Sequence, residues 1–160
     1  MSDYKYYLDE GIVDFRNGKF ENALENVNQS ISLKNDWEIS YFYRGAINQA
    51  LGNYDDAMID YSKAVKIKPE MTDAYYNMAY ITLSRKDIDS PDIKKAVDNL
   101  EKAIELDPEF IDALYAMAAA QKKLGDYHKC LEYLEKLLQI EPNAVNAKAL
   151  KKLILQKYII

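Results

Sequence analysis

Residues 38–69 read EISYFYRGAINQALGNYDDAMIDYSKAVKIKP, and this stretch decides the fold. Apolar and small residues recur in it at the three- and four-residue spacing of an amphipathic helix, first up to Ala50 and again from Ala57. Gly52 separates the two patterns, and Pro69 ends the second because proline cannot continue a helical hydrogen-bond ladder. The stretch therefore predicts two helices that form a hairpin.

The same pattern repeats along the chain with a fixed period. Gly18 and Gly52 lie 34 residues apart, and so do Pro108 and Pro142. Such a period with helical patterning is typical of stacked helical hairpins, none of which can bury its apolar face alone. The period predicts four repeats and a last helix: 4–37, 38–71, 72–110, 111–144 and a capping helix over 145–158.

The repeats resemble the tetratricopeptide repeat family, whose pattern is W-x2-L-G-x2-Y, then A-x3-F, then P. The second repeat carries the matching residues Tyr41, Gly45, Ala57, Tyr61, Ala64 and Pro69. The resemblance extends over about residues 4–144 and implies an all-α fold. It also implies a right-handed superhelical solenoid of antiparallel helical hairpins, with about nine helices in a single domain spanning 1–160.

Two departures from the pattern stand out. The family's second aromatic position holds polar residues in all four repeats, which predicts looser packing there: Asp14, Asn48, Thr82 and Gln121. The third repeat is also 5 residues longer than the period, and the extra length falls within 84–92. Ser90 before Pro91 predicts an N-cap with proline at the first helical position. Insertions in repeat arrays map to loops on one face and are often used for binding.

Composition excludes several classes of protein. The chain has 21 basic and 26 acidic residues, a net charge of −5, which argues against a nucleic-acid partner. No apolar run approaches the roughly 18 residues that span a bilayer, so we expect no membrane span. The first residues show no basic and apolar leader, so a cytoplasmic location is expected. The single cysteine excludes a disulfide framework.

The residue types that carry catalysis or hold metals are sparse. His128 is the one histidine and Cys130 the one cysteine, and Cys130 occupies a small-residue packing position, so a catalytic pair is disfavoured. Asp87, Asp89 and Asp92 resemble a calcium loop only faintly, since the required glycine and closing glutamate are absent. We therefore expect no enzyme activity, no metal and no cofactor.

The resemblance also indicates where a partner would bind. In the tetratricopeptide family the first helix of each repeat lines a concave groove. The corresponding positions hold mostly apolar and aromatic residues: Leu8, Ile12, Phe42, Tyr43, Tyr76, Asn77, Tyr80 and Tyr115. Tyrosine is enriched at interfaces, so the pattern predicts a peptide-binding groove with Asn77 as a polar anchor. Aromatic stripes at helical spacing are also usual in cores, and that alternative stays open.

One subclass of the family can be tested directly. Some members grip the C-terminal carboxylate of a chaperone with lysine, asparagine and arginine side chains from three repeats. The matching positions hold residues such as Leu8, Ile12 and Asp73, which supply no cation for a buried carboxylate. The sequence instead predicts a non-catalytic adaptor or chaperone-like module that binds an apolar segment of another protein or peptide.

The predicted capping helix suggests an alternative function. Residues 143–160 contain four lysines and no acidic residue, which suits the polar outer face of a cap better than a membrane-binding helix. Near the end of this helix, the apolar residues are too many to lie on one helical face: Leu155, Tyr158, Ile159 and Ile160. Such a surplus can drive symmetric dimerisation, so a self-assembling module forming a weak homodimer is the second hypothesis.

Overall fold

The computed structural model describes residues 3–158, which form nine α-helices and no strand. The all-α fold predicted from the repeat period is confirmed. In chain order the helices are α1 (Tyr4–Arg16), α2 (Phe20–Leu33), α3 (Glu38–Ala50), α4 (Tyr54–Ile67), α5 (Thr72–Leu83), α6 (Ser90–Leu106), α7 (Ile111–Leu124), α8 (Tyr127–Ile140) and α9 (Val145–Lys157). No helix within 3–158 combines the length and the hydrophobicity needed to cross a bilayer.

Glycines make three of the turns inside the hairpins. Gly18, Gly52 and Gly125 adopt φ values of 74°, 80° and 80°, a left-handed conformation that residues with a Cβ rarely accept. The connection between α5 and α6 contains no glycine and uses the inserted residues instead. The glycine spacing that revealed the period therefore marks the turns themselves.

The chain divides into two compact units between Ala74 and Tyr75. In the first unit α1 packs against α2, α3 packs against α4, and α2 also packs against α3. The core shared by α1, α2 and α3 contains Leu8, Ala23, Val27 and Ile47, all buried. One core thus joins the first hairpin to the second.

The second unit contains two adjoining cores. Ala79 of α5, Leu100 of α6 and Met117 of α7 are buried in one of them. Leu114 of α7, Leu134 of α8 and Ile154 of α9 are buried in the other. Because α7 contributes to both cores, it links the third hairpin to the fourth, and α9 closes the second core.

Three of the four polar residues at the family's second aromatic position are buried and hydrogen-bonded, whereas Asp14 is only partly buried. Asn48 donates to Oδ2 of Asp60 at 3.2 Å, and the hydroxyl of Thr82 donates to the Met78 carbonyl at 2.9 Å. Gln121 donates to the sulfur of Met117 at 3.7 Å. These three residues are only 5–7% exposed, so the looser packing predicted at this position is absent in these three repeats. Hydrogen bonds to the neighbouring turn or helix take the place of an aromatic contact.

A charged pair fixes the second hairpin. Arg44 of α3 donates from Nη2 to Oδ1 of Asp60 at 2.7 Å and from Nε to Oδ2 at 2.9 Å. Asp60 is only 2% exposed, and the hydrogen bond with its carboxylate raises the pKa of Arg44. A two-point contact of this kind is among the stronger polar interactions in proteins. Sequence reasoning missed it, although Asp60 lies on the apolar side of α4 beside Tyr61.

The inserted segment ends in a helix cap, one residue earlier than predicted. Ser90 is the first residue of α6, and Asp89 is its N-cap. Oδ1 of Asp89 accepts a hydrogen bond from the backbone N–H of Asp92 at 2.8 Å. An aspartate satisfies an unpaired N–H at a helix start as well as a serine does, and it also complements the helix dipole.

Candidate functional site

An open pocket of about 260 Å³ lies between α5 and α7 in the second unit. Its lining residues follow the same helical face on both helices, spaced three, four or seven residues apart. They are Tyr76, Tyr80 and Leu83 from α5, Ser84 directly after it, and Asp112, Tyr115, Ala116, Ala119, Ala120 and Lys123 from α7. Three of the predicted groove residues, the tyrosines at 76, 80 and 115, are thus brought together.

Tyrosine rings form the apolar wall of this pocket. The rings of Tyr76 and Tyr80 lie 6.2 Å apart, and Tyr76 also packs against Phe110 at 5.0 Å. Tyr76 is half-buried, whereas Tyr80 is 51% exposed. Phe110 therefore holds Tyr76 in place, and Tyr80 offers its ring to an incoming group. The small side chains of α7 leave room in front of the rings.

The pocket carries opposite charges at its two ends. Asp112 is in the first turn of α7 and Lys123 in the last, which places them about 16 Å apart along the helix axis at 1.5 Å per residue. Burial, followed by the neighbouring Asp112 and Tyr80, raises the pKa of Tyr76. The Tyr76 hydroxyl therefore stays protonated at neutral pH, when it can both donate and accept hydrogen bonds.

The predicted groove residues of the first unit are placed differently. Leu8 is 2% exposed and belongs to the core, so it offers no surface to a ligand, and its assignment to the groove is corrected. Ile12 and Tyr43 are partly buried and pack against the same core. Phe42 is half-buried, with its ring 5.6 Å from that of Tyr43 and 5.7 Å from that of Tyr61.

For two further residues the structure of the site departs from the sequence-based prediction. Asn77, the predicted polar anchor, is half-buried and does not line the α5–α7 pocket. Phe110, which supports Tyr76, was not predicted. The signal for it exists in the repeat register, because a large apolar residue precedes each first helix of repeats two to four: Trp37, Met71 and Phe110.

His128 and Cys130 lie in different environments. His128 is exposed, while Cys130 is completely buried in the core shared by α7, α8 and α9. Burial raises the pKa of the Cys130 thiol, which keeps it in the unreactive protonated form. Within residues 3–158, no three histidine, cysteine, aspartate or glutamate side chains converge on a point that could hold a metal ion.

The residues predicted for self-association also differ in their exposure and contacts. Leu155 is 44% exposed on α9, and Leu153 is 42% exposed on the same helix. Tyr158 is half-buried and stacks on Tyr127 of α8, with ring centroids 4.1 Å apart and planes inclined by 13°. Ile159 and Ile160 lie outside the described residues.

The fold and the repeat register agree with comparison against known proteins. The sequence matches the model of the Tetratricopeptide repeat family over residues 4–149, and the chain belongs to this family. No curated protein matches the sequence significantly. The family assignment confirms the resemblance inferred from the glycine, alanine and proline spacing.

Solved structures of similar fold come from several proteins. A MamA structure matches with a TM-score of 0.86 and 22% identity, over 96% of this chain and 81% of that one. PilF of Pseudomonas aeruginosa matches with a TM-score of 0.81 and 16% identity, over 96% and 68% of the two chains. The first tetratricopeptide domain of Spaghetti (RPAP3), bound to the HSP90 peptide SRMEEVD, matches with a TM-score of 0.67 and 21% identity, over 74% and 90%. At these identities the likeness establishes the fold.

Proposed function

We propose that this chain is a non-catalytic protein-interaction module whose α5–α7 pocket holds an apolar side chain of a partner peptide. The observation that carries the proposal is the half-exposed ring of Tyr80 beside Tyr76 and Tyr115 at the mouth of a concave, mostly apolar pocket. Exposed apolar surface that is concave and rimmed by polar groups usually marks an interaction site. At about 260 Å³ the pocket is smaller than most small-molecule sites, which favours a side chain as its occupant.

The charges at the ends of the pocket suggest a direction for the peptide. Asp112 favours a basic residue at one end, and Lys123 favours an acidic residue at the other. The distance of about 16 Å between them corresponds to about five residues of extended chain at 3.3 Å each. The preferred segment therefore carries a basic residue, a central aromatic or large aliphatic residue, and an acidic residue.

A solved structure of this fold with a bound peptide supports the general mode of binding. The RPAP3 domain holds an HSP90 peptide that ends in Glu-Glu-Val-Asp. In this chain the pocket wall is tyrosine and alanine, with Lys123 as its one lysine or arginine among the lining residues. We propose a ligand gripped by its apolar side chain rather than by a terminal carboxylate, in an adaptor or chaperone-like role in the cytoplasm.

A matched pair of tyrosine variants tests the proposal. The probe is a fluorescein-labelled peptide, Lys-Ala-Phe-Ala-Glu, compared with its reversed sequence and with alanine in place of phenylalanine. Tyr80→Ala should weaken binding by about 2 kcal/mol, or about 30-fold, as expected for an interface hot spot. Tyr54→Ala is the control, because Tyr54 is 49% exposed but lies on α4. Equal effects of the two variants, or no binding of the forward peptide, would contradict the proposal.

Self-association through α9 is a second candidate function. Leu153 and Leu155 are exposed on this helix, next to lysines that carry no acidic neighbour within residues 143–160. Measuring the mass in solution over a dilution series, with and without residues 155–160, tests it. A monomer at all concentrations excludes this function and leaves peptide binding as the proposed one.

A further inference from the structure

In α3, α7 and α9, two positions seven residues apart pack against the preceding hairpin. In α3, Ile47 lies in the core of the first hairpin, and Ser40 shares a 2.9 Å hydrogen bond with Ser30 of α2. The corresponding positions of α7 are Ala113 and Ala120, which belong to the core formed with α6. The corresponding positions of α9 are Ala147 and Ile154, which pack on the fourth hairpin. All six side chains are at most 1% exposed.

The first helix breaks this pattern. In α1 the two stacking positions hold Tyr6 and Val13, which are 58% and 51% exposed. The ring of Tyr6 touches only the edge of its neighbour Tyr7 among the described aromatic contacts, at 5.5 Å. Glu10 lies between them in the helical register and is also exposed. The surface that joins one hairpin to the previous one is thus present on α1 and uncovered within residues 3–158.

The exposed face of α9 is basic. Leu114 and Ala118 of α7 lie in the core formed with α8, and by the 34-residue register they correspond to Lys148 and Lys152 in α9. Lys151 pairs with Glu135 at 3.1 Å, whereas Lys148 and Lys152 are exposed. Val145 and Leu155 flank these lysines and are 76% and 44% exposed. The free face of α9 therefore has lysines between two apolar residues.

We infer that the free face of α9 docks on the Tyr6–Val13 face of α1 in a second copy of the chain. The α1 face presents an acid between two apolar residues, and the α9 face presents bases between two apolar residues. Tyr6 and Val13 are about 10 Å apart along their helix, and Val145 and Leu155 about 15 Å, at 1.5 Å per residue. Because these spans differ by about 5 Å, Glu10 can face Lys148 or Lys152 with close apolar contact on one side of the charged pair.

Pairing of unlike faces is favoured by charge. Contact between two α1 faces would bring Glu10 and Asp9 close to their own copies, and contact between two α9 faces would bring lysines together. Like charges in contact oppose association, whereas the α1–α9 pair brings opposite charges together. Each copy then uses a different face for each neighbour, so the contact is heterologous and differs from the like-face contact of a symmetric dimer.

The contact should be weak and sensitive to salt. Two helix faces bury less than the roughly 1,200 Å² of a standard stable interface, so association requires high protein concentration. The charge contribution falls as added salt shortens the Debye length from about 10 Å at 0.1 M to about 3 Å at 1 M. This inference rests on the second candidate function, self-association through α9, and names the surface that α9 contacts. It does not use the α5–α7 pocket, so it stands or falls independently of peptide binding.

Sedimentation velocity on the full chain, over a dilution series in low and high salt, tests the inference. The average mass should rise with concentration and fall with salt. Val13→Lys and the double variant Lys148→Glu/Lys152→Glu should each remain monomeric, because each variant brings like charges together at the contact. An equimolar mixture of the two variants should form a 1:1 dimer and nothing larger, because the mixture retains one intact α9 face and one intact α1 face per pair.

Controls separate docking from unfolding and from other contacts. Ile59→Asp changes an apolar side chain that is 66% exposed on α4, and this variant should associate as the unmodified chain does. Each variant must keep the helical circular dichroism and melting temperature of the unmodified chain, as expected for exposed positions. Tyr80→Ala should leave association unchanged.

Three results would overturn the inference. The first is a monomer at every concentration up to about the millimolar range. The second is a mixture that stays monomeric although both variants are folded. The third is association that only one of the two variants abolishes. Loss with Val13→Lys alone would assign the contact to two α1 faces, and loss with the lysine variant alone would assign it to two α9 faces.

Discussion

Gly45 of α3 and Tyr61 of α4 are in contact so close that a Cβ added to Gly45 would lie 2.9 Å from Cε1 of the tyrosine. The Tyr61 ring is completely buried, and its hydroxyl donates to Oε1 of Gln49 at 2.9 Å. The ring therefore cannot move aside without breaking a hydrogen bond and disturbing the core. The glycine sets how closely the two helices of this hairpin approach.

Gly45→Ala should destabilise the protein by about 1 kcal/mol. Overpacking a core destabilises a protein by about 1–3 kcal/mol, whereas replacing glycine by alanine in a helix interior stabilises it by about 1 kcal/mol. Urea unfolding followed by circular dichroism measures the difference. In a Tyr61→Leu background the clash is relieved, so the same substitution should become neutral or stabilising. A loss of equal size in both backgrounds would show that the contact with Tyr61 is not its cause.

The Arg44–Asp60 pair should respond asymmetrically to removal of its partners. Arg44→Met leaves a carboxylate whose side chain is 3% exposed, whereas Asp60→Leu leaves a guanidinium whose side chain is 27% exposed. Breaking a buried pair costs about 3–5 kcal/mol, and the more buried charge suffers more. We expect Arg44→Met to lower the unfolding free energy more than Asp60→Leu, and the double variant to recover most of the loss. Chemical denaturation of the three variants measures this order.

The exposed polar residues of the inserted segment should tolerate changes, except at its cap. Asp89→Ala removes the acceptor for the Asp92 N–H and should cost about 1 kcal/mol. Asp87→Ala is the matched control, since Asp87 is an exposed aspartate two residues earlier and is not the N-cap of α6. Shortening the loop should have little effect while Asp89 is kept, because closure entropy varies slowly with loop length. Equal melting temperatures for the two aspartate variants would contradict this assignment.

Cys130 should react with thiol reagents only when the protein unfolds. Its side chain is completely buried, so iodoacetamide should label the native chain far more slowly than the chain in urea, as mass spectrometry can show. Burial raises the pKa of the folded thiol above its usual value near 9, so the folded state holds the proton more tightly than the unfolded chain. Stability from this group is therefore present below about pH 9 and lost as the pH rises further. Rapid labelling at pH 8 without denaturant would be the contrary result.

The sequence predicted the hairpins well because their signals are backbone requirements. A left-handed turn at Gly52 needs glycine, and the chain after Ile67 cannot remain helical through Pro69. These constraints act locally, so they are visible in the residues themselves. The 34-residue register then placed Tyr76, Tyr80 and Tyr115 on matching faces, which the structure brings into one pocket.

What the sequence could not predict depends on which helix a side chain faces. Leu8 and Tyr76 occupy the same register position, yet Leu8 is 2% exposed in a core and Tyr76 lines a pocket. Asp60 follows the apolar face of α4 and is buried only because Arg44 lies opposite it on α3. The N-cap moved from Ser90 to Asp89 because both residues can cap a helix and periodicity does not distinguish them.

The short glycine turns have a kinetic consequence. Because each turn joins helices that are adjacent in sequence, the hairpin cores form from residues that are close along the chain, such as Leu8 with Val27. Little loop-closure entropy is lost before such contacts form, and domains dominated by local contacts fold in about microseconds to milliseconds. Each hairpin can therefore serve as a starting point for folding, from which order spreads to its neighbour.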